Sequence, residues 1–469
     1  MIPNPPIRNP QSTSGNAWTL FRASARAGGC VHGNDAVFDG VGTDSRQDLS
    51  GKLFIALRGE RFDGHDFAEM AVVQGASALM VDHLLDLPIP QWVVDDTRLA
   101  LGRLAAAHRD NFQGRIVAVT GSNGKTTCKE MIATVLGRAG RVHATRGNLN
   151  NDIGMPLTLL DAGQEDFLVL EMGANHPGEI AYLTDIARPD LAVITNAGRA
   201  HLEGFGSLEG VARAKGEIAR GLAVDGTFII PSDSPWTALW RELAAGRTML
   251  TCGPCGSADV GVHLEKVASR WDDAGFRTEF QVMAQGRVID IDLPMVGVHN
   301  VRNALVATAV SVALGIGDEY LCAGLAAMRP VPGRLFPRAG LGGLRLIDDS
   351  YNANPDSVRA AICVLMGLPG RHVLVLGDLG ELGPDASDLH RQLGIEARSA
   401  GVDALFTVGE LSSAVVEGFG EGARHCSDQA GLIATLQHDL EEGDVVLIKG
   451  SRLAAMDRVA DALCAPGEG

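Results

Sequence analysis

The stretch Ile116-Val117-Ala118-Val119-Thr120-Gly121-Ser122-Asn123-Gly124-Lys125-Thr126-Thr127 decides how the rest of the chain is read. A short apolar run predicts a buried strand, a glycine-bounded loop follows, and a helical stretch begins at Cys128 and runs to about Gly140. Such a loop turns backbone N–H groups and a helix N-terminus toward a polyphosphate. Its glycines permit close approach, Lys125 supplies mobile positive charge, and Thr126 offers a hydroxyl to Mg2+. Gly121, Ser122, Asn123, Gly124, Lys125, Thr126 and Thr127 are therefore expected to bind ATP. Val119 stands where the longest form of the motif has glycine, so the shorter G-x-x-G-K-T-T form is present.

Outward from this loop, the strand candidates 116–120, 167–171, 191–196 and 227–231 alternate with helical stretches, which predicts a doubly wound, mostly parallel sheet. Between Asp259 and Val296 the pattern changes to consecutive strands, including the alternating Arg287–Leu293, so an antiparallel ribbon is expected before a helix over about 300–314. A small α/β block precedes the loop. Another α/β block follows, with strands at 372–376, 404–408 and 445–448, after the linker and predicted hinge Arg329-Pro330-Val331-Pro332-Gly333. The expected fold is a three-domain α/β protein: a disordered tail over 1–17, an N-terminal domain over 18–112, a central ATP-binding domain over 113–329, and a Rossmann-like C-terminal domain over 330–469.

With 469 residues, 46% of them hydrophobic, the chain is long enough for several cores. Its formal charge of −17 argues against broad capture of nucleic acid or an anionic membrane, so any phosphate site must be built locally. No apolar run approaches the ~18 residues of a membrane helix, and the opening residues carry no signal-peptide core, which predicts a cytoplasmic protein. The eight scattered cysteines form no disulfide framework. Cys252-Gly253-Pro254-Cys255 has the spacing of a redox dithiol, but a strand pattern follows it where a helix would be needed, so a turn between strands is expected.

Three residues beyond the loop carry chemical meaning. Glu171 ends the strand Phe167–Glu171, where a parallel sheet presents ligands, and is a candidate for Mg2+; a capping or salt-bridging acid is the alternative. His201 follows the next strand and is a candidate metal ligand or a structural loop histidine. Lys215 falls within the apolar stripe of the helical stretch Ser207–Leu222, among Leu208, Val211, Ala212, Ile218, Ala219 and Leu222. A lysine there snorkels outward, pairs with a carboxylate or loses its charge; snorkelling is the default expectation, and a desolvated neutral amine could instead take up CO2 as a carbamate.

The phosphate loop, Glu171, Asn148-Leu149-Asn150-Asn151-Asp152-Ile153-Gly154, Ala200-His201-Leu202, Ala214-Lys215-Gly216-Glu217, His299-Asn300-x-x-Asn303 and Gly333-Arg334-Leu335 together resemble the Mur ligases, ATP-dependent amide-bond formers of peptidoglycan precursor synthesis. Within that family, Thr43–Arg46, Phe62–Phe67, Asp348–Pro355 and Gly377–Gly383 resemble the branch that adds D-alanyl-D-alanine to UDP-N-acetylmuramoyl-tripeptide. The diaminopimelate-adding branch instead has D-Y-A-H-T-P near Asp349–Pro355 and a D-N-P-R motif absent here. A lysine, Lys52, occupies a position more commonly acidic.

The resemblance implies that Lys125 and Thr126 hold the ATP phosphates and one Mg2+, that Glu171 and His201 bind two Mg2+ ions, and that Lys215 carries a CO2-derived carbamate that orients the metal. It further implies that Asn300 and Asn303 contact adenine, and that Arg334 and Asp349 meet phosphate and ribose. Ser45, Arg46, Asp63, Gly64 and His65 would face the UDP end; Asn352, Asn354 and the 378–382 loop would face the dipeptide or peptide end, and Asn148 and Asn151 would also bind substrate. The expected partners are UDP-N-acetylmuramoyl-tripeptide and D-alanyl-D-alanine, and the expected state is a monomer. A phosphate-loop phosphotransferase or ATPase is the alternative from another class.

Overall fold

The computed structural model describes residues 18–59, 61–244, 246–272 and 275–465. The tail expected over 1–17 lies outside them. The described residues fold as three larger sheets flanked by helices, with a two-stranded ribbon pairing Trp18–Thr19 with Val37–Phe38, and divide into two compact units.

The first unit comprises the described residues up to Gly114 together with 145–165 and 185–187. Its elements are α1 (Leu20–Ala27), β1 (Cys30–His32), β2 (Gly40–Gly42), β3 (Lys52–Ile55), α2 (Ala68–Val73), β4 (Ala78–Val81), β5 (Gln91–Val93) and α3 (Thr97–Arg109). The strands order as β1-β5-β4-β3-β2, with only β1 antiparallel. Asp96 caps α3 by accepting from the N–H groups of Arg98 and Leu99, and Leu101 and Leu104 bury its apolar face against Leu53 and Met80. The helix over Gly154–Asp161 lends Ile153, Leu157 and Leu160 to the same core, which is why a segment of the central block packs here.

The second unit holds the other two sheets. The central sheet is built from β6 (Arg115–Thr120), β7 (Val142–Ala144), β8 (Phe167–Glu171), β9 (Leu191–Ile194), β10 (Thr227–Pro231), β11 (Thr248–Pro254) and β12 (Val260–Val262), all parallel in the order β7-β8-β6-β9-β10-β11-β12. The expected ribbon continues it: β13 (Ala268–Asp272), β14 (Gly275–Ala284) and β15 (Arg287–Leu293) pair antiparallel, with β14 joining β12. β14 alternates burial at every second residue from Phe276 to Ala284, as a strand with one solvated face must. Strands β6 and β8 to β10 are instead nearly continuous apolar runs because helices cover both faces. Cys252 lies inside β11 and Cys255 opens the turn to β12, so the C-x-x-C segment joins two strands, and none of the eight cysteines is in a disulfide.

Two helices close one face of this sheet: α4 (Lys125–Ala139), which starts at the phosphate loop, and α5 (Val298–Leu314). Met131, Ile132, Val135, Val301, Leu305 and Ala309 form one core with Val117, Val193 and Ile229. The helix expected from Ser207 to Leu222 is α6 (Leu208–Gly216), which tightens into a 3-10 turn over Glu217–Ala219. A Cβ at Gly216 would stand 2.4 Å from Leu243 Cδ1 and 3.2 Å from Trp240 Cδ1, so the break falls where the backbone itself is packed.

The third sheet contains β16 (Phe336–Ala339), β17 (Arg345–Asp349), β18 (His372–Gly377), β19 (Ala404–Val408), β20 (Ala423–Cys426) and β21 (Val445–Lys449), in the order β16-β17-β21-β18-β19-β20 and parallel except for β16. Leu374 and Leu376 face one core and Val373 and Val375 the other, the period of two expected of a strand covered on both sides.

Leu305 is fully buried in the central core. Leu305→Ala should lower unfolding stability by roughly 2–5 kcal/mol, read from the shift of the urea midpoint.

Candidate functional site

The phosphate loop is shaped by contacts that leave no room for side chains. Gly121 has φ +149° and a Cβ there would lie 2.0 Å from Thr195 Oγ1; Gly124 has φ +79° and its Cβ would lie 2.8 Å from Asn303 Oδ1. Asn123 locks the loop to the end of β9: its N–H donates to Asn196 Oδ1 (2.9 Å), and its carbonyl accepts from Thr195 Oγ1 (2.7 Å) and Asn196 Nδ2 (2.9 Å). Lys125 opens α4 and donates from Nζ to Gly121 O at 2.8 Å. Burial pushes its pKa down, with Glu171 opposing that shift.

Glu171, at the C-terminal end of β8, accepts from Thr126 Oγ1 at 2.9 Å and is 2% exposed. The Thr126 hydroxyl also accepts from Arg334 NH2 at 3.0 Å. Arg334 stacks over Tyr351, its Cζ 4.2 Å from the ring centre. Its neighbour Leu335 holds φ +49° and donates its N–H to Asp349 Oδ1 at 3.1 Å, while Asp349 Oδ2 accepts from Lys449 Nζ at 2.5 Å. Burial raises the Asp349 carboxyl above its ordinary range, and Lys449 pulls the other way. Lys449 also donates to Asn352 O at 2.9 Å. Burial, with Lys449 adding to it, holds the His299 imidazole down at about 4, so that ring is neutral.

Three further residue pairs join the C-terminal block to the loop region. Asn354 caps the helix Pro355–Met366 and donates from Nδ2 to Asn123 Oδ1 at 2.7 Å; the Arg199 N–H donates to Asp356 Oδ2 at 2.7 Å; and His201 Nδ1 faces the Glu381 carboxylate. His201 and Glu381 both sit in the left-handed region, at φ +55° and +59°. The hydrogen bond from His201 holds the Glu381 carboxyl below its usual range.

Lys215 corrects the expectation of snorkelling. It is 1% exposed, its Nζ lies 5.2 Å from the centre of the Phe205 ring, and its amine makes no hydrogen bond or ion pair among the described residues. Burial, then repulsion from Lys125, lowers its pKa to about 7 against the opposing fields of Glu179 and Glu217. Those carboxylates are already engaged: Glu217 accepts from the N–H groups of Gly178 and Ala181, and Glu179 from those of Asn175 and His176. The sequence pattern could not show this, because snorkelling depends on what lies above the helix.

Asn300 and Asn303 share a face of α5, as their spacing implied. Asn303 Nδ2 donates to Asn300 Oδ1 at 3.3 Å, Asn300 Nδ2 donates to Val296 O at 2.8 Å, and both are buried. Asn352 turns its Oδ1 onto the Ala353 N–H. In the other unit, Ser45 is buried and Arg46 is exposed, clasping Asp44 from Nε and NH2 at 2.8 Å each, which holds that carboxyl down at about 2. Asp63 caps the turn Gly64–Phe67, and the buried His65 accepts the Asp82 N–H at Nε2 (3.1 Å). Asn148 O accepts the Asn150 N–H, and Asn151 Oδ1 accepts from Ile153 and Gly154 at the start of the Gly154–Asp161 helix. Sequence reasoning missed Lys449 and Tyr351. The signal for Lys449 was present: like Glu171, it is a lone charge ending an apolar strand.

The arrangement is that of a phosphate-loop α/β enzyme in which side chains of a second α/β domain reach the loop. Comparison with known proteins sharpens that class. Residues 37–109 match the Mur ligase family catalytic domain, 119–311 the Mur ligase middle domain, and 333–452 the Mur ligase glutamate ligase domain. The chain belongs to the Mur ligase family. It is 44% identical to the UDP-N-acetylmuramoyl-tripeptide--D-alanyl-D-alanine ligase of Escherichia coli K12, over 95% of this chain and 98% of that one. A crystal structure of MurF from Acinetobacter baumannii matches at 37% identity with a TM-score of 0.89, covering 95% and 99%. MurF of Thermotoga maritima in complex with ADP matches at 30% identity and a TM-score of 0.81, covering 90% and 96%.

Two outcomes test the site. Gly121→Ala should cut nucleotide affinity by roughly 100-fold or more in equilibrium titration, since the added methyl collides with Thr195 and loses the tolerated φ. For Lys215, the unfolded chain titrates near 10.5 and the native protein near 7, so the unfolded state binds the extra proton between those values and wild-type stability rises with pH there. Below pH 7 the cost of the buried ammonium is present in full. Relative to Lys215→Met, the wild type should gain up to roughly 3 kcal/mol between pH 7 and 9.5 in urea unfolding.

Proposed function

We propose that this chain is the ATP-dependent ligase that joins D-alanyl-D-alanine to UDP-N-acetylmuramoyl-tripeptide, giving the pentapeptide, ADP and phosphate. The observation that carries the reading is Thr126, bonded at once to Glu171 of the central sheet and to Arg334 of the C-terminal block. A nucleotide seated there is gripped by the two domains that must bring acid and amine together. The relatives that match over nearly their whole length are named for this reaction.

The γ-phosphoryl group passes to the tripeptide carboxylate and ADP leaves; the dipeptide amine then attacks the acyl carbon, the C–O bond to phosphate breaks, and the amine gives up a proton. The first step sets anion against anion, and at about 4 Å a unit pair repels by about 4 kcal/mol at an effective dielectric near 20. Lys125 and Arg334 oppose that repulsion at the phosphates. The hydroxyl and carboxylate oxygens of Thr126 and Glu171 suit Mg2+, and the family resemblance adds His201 beside them; two such ions would supply Lewis-acid charge neutralisation. Lys215, buried without an acceptor and with its pKa near 7, is a neutral amine in part at pH 7 and so is chemically able to take up CO2; as a carbamate it would add an anion to the metal site. Asn300 and Asn303 would receive adenine and Asp349 the ribose, with Ser45, Arg46, Asp63, Gly64 and His65 toward the UDP end and Asn148, Asn151, Asn352 and Asn354 toward the peptide chains. Docking of the C-terminal block would keep water from the acyl phosphate. Among the described residues no helix is long and apolar enough to cross a membrane; the enzyme would act in the cytoplasm as a monomer.

Orthophosphate release should require both UDP-muramoyl-tripeptide and D-alanyl-D-alanine, with the pentapeptide seen by mass spectrometry; release with neither substrate would return the chain to the ATPase class. Lys215→Ala should lose roughly 100-fold or more in kcat and regain part of it with a short carboxylic acid supplied in solution. Full activity of both Lys215→Ala and Lys215→Arg would remove the carbamate from the mechanism.

A further inference from the structure

At the C-terminal edge of the third sheet, the connections after β18 and β21 leave toward opposite faces, since the helix Ala386–Ala400 packs in one core and the helix Asp457–Leu463 in the other. Such a divergence opens a crevice where α/β sheets take ligands. The two lips are tied together: the Ser451 N–H donates to Asp378 O at 2.9 Å, and a Cβ at Gly377 would lie 2.9 Å from Ala454 Cβ. The lip after β21 is the short 3-10 turn Arg452–Ala454, held from behind by Gln429 Nε2, which donates to the carbonyls of Ala454 (2.7 Å) and Ala455 (3.1 Å).

On this braced turn Arg452 is exposed, and its guanidinium makes no ion pair or hydrogen bond among the described residues. The group lies over Tyr351, with Cζ 5.7 Å from the ring centre, and the same ring carries Arg334 at 4.2 Å. Arg334 in turn donates to Thr126 in the phosphate loop. The other lip runs through Asp378 to Glu381, which meets His201. Arg452 is thus an unneutralised fork for a carboxylate, placed in a crevice that leads at both sides to the phosphoryl-transfer site. Beside it Leu453 is 94% exposed and offers apolar surface to a small aliphatic side chain.

Resting on the ligase reading above, we propose that Arg452 binds the terminal carboxylate of the dipeptide substrate and so decides which end of it faces the phosphate loop. The two guanidinium carbons over Tyr351 are at most about 10 Å apart, and an extended dipeptide spans about 7 Å from amine to carboxylate, so a dipeptide anchored at Arg452 is long enough to bring its amine close to Arg334 and Thr126. Leu453 would meet its methyl groups. A neutral or amidated C-terminus lacks the partner for Arg452, which makes this residue the reader of a free acid.

The test compares wild type, Arg452→Met and Arg452→Lys with D-alanyl-D-alanine and with D-alanyl-D-alanine amide. Arg452→Met should raise KM for the dipeptide by ~10- to 100-fold, leave KM for ATP and for the UDP substrate within twofold, and abolish the preference of wild type for acid over amide. Arg452→Lys should restore part of that preference. An unchanged dipeptide KM, a retained preference for the acid in Arg452→Met, or a parallel rise in the ATP KM would each overturn the assignment. Failure of the wild type to couple the dipeptide at all would instead remove the ligase reading, and this inference with it.

Discussion

The hydroxyl of Thr126 is the point on which the site turns. One O–H donor and two lone pairs let it give its proton to Glu171 and accept from Arg334, so the end of a central strand, the first turn of the phosphate-loop helix and the neighbouring domain meet at one oxygen. Arg334 is held to this task by a chain of constraints. Leu335 adopts a left-handed backbone, its N–H is taken by Asp349, and Asp349 is held by Lys449, which is itself buried. A buried ion pair of this kind is weak as a source of stability, because desolvation offsets most of the attraction. What it does here is fix direction: with Lys449 removed, an uncompensated carboxylate would remain beneath the residue that aims the guanidinium.

The contacts between the central and C-terminal blocks divide by chemistry. Phe276 and Val296 of the central block are buried in the same core as Leu335, Ile362 and Leu365, whereas the contacts at the phosphate loop are polar, through Asn123, Arg199, His201 and Thr126. Apolar contact is indifferent to what occupies the nucleotide site. Hydrogen bonds can be exchanged one for one with phosphate oxygens, so the polar side is where a ligand can alter the docking of the two blocks while the apolar seam keeps them aligned.

Much of this was legible in the sequence because period and punctuation agreed. Continuous apolar strands such as Phe167–Glu171 and Thr227–Pro231 fall at the positions their composition implies, and the switch to alternation at Arg287–Leu293 marked the antiparallel ribbon. The helix around Lys215 was read too long, because its end is set by Gly216 packing against Trp240 and Leu243 from a separate helix, a tertiary fact. The same limit applied to Lys215 itself. An apolar stripe says which face is inward, but only the packed neighbours decide whether an amine can escape along it. Asn354 and Asn151 carry local structure as well: the Asn354 side chain caps the helix Pro355–Met366, and Asn151 Oδ1 accepts the Gly154 N–H where the helix Gly154–Asp161 begins.

The chain carries a net charge of −17, yet its site gathers Lys125, Lys215 and Arg334 around the phosphate loop. Those cations repel one another: Lys125 lowers the pKa of Lys215, and Arg334 lowers that of Lys125. Loss of a proton relieves that repulsion, and Lys215, whose amine has no acceptor among the described residues, has its pKa lowered to about 7. Deprotonation both reduces the repulsion and produces the neutral amine that CO2 requires. In the proposed reaction, carbamylation would turn this surplus cation into an anion, so that a single buried lysine would serve both a site that takes a triphosphate and one that takes magnesium.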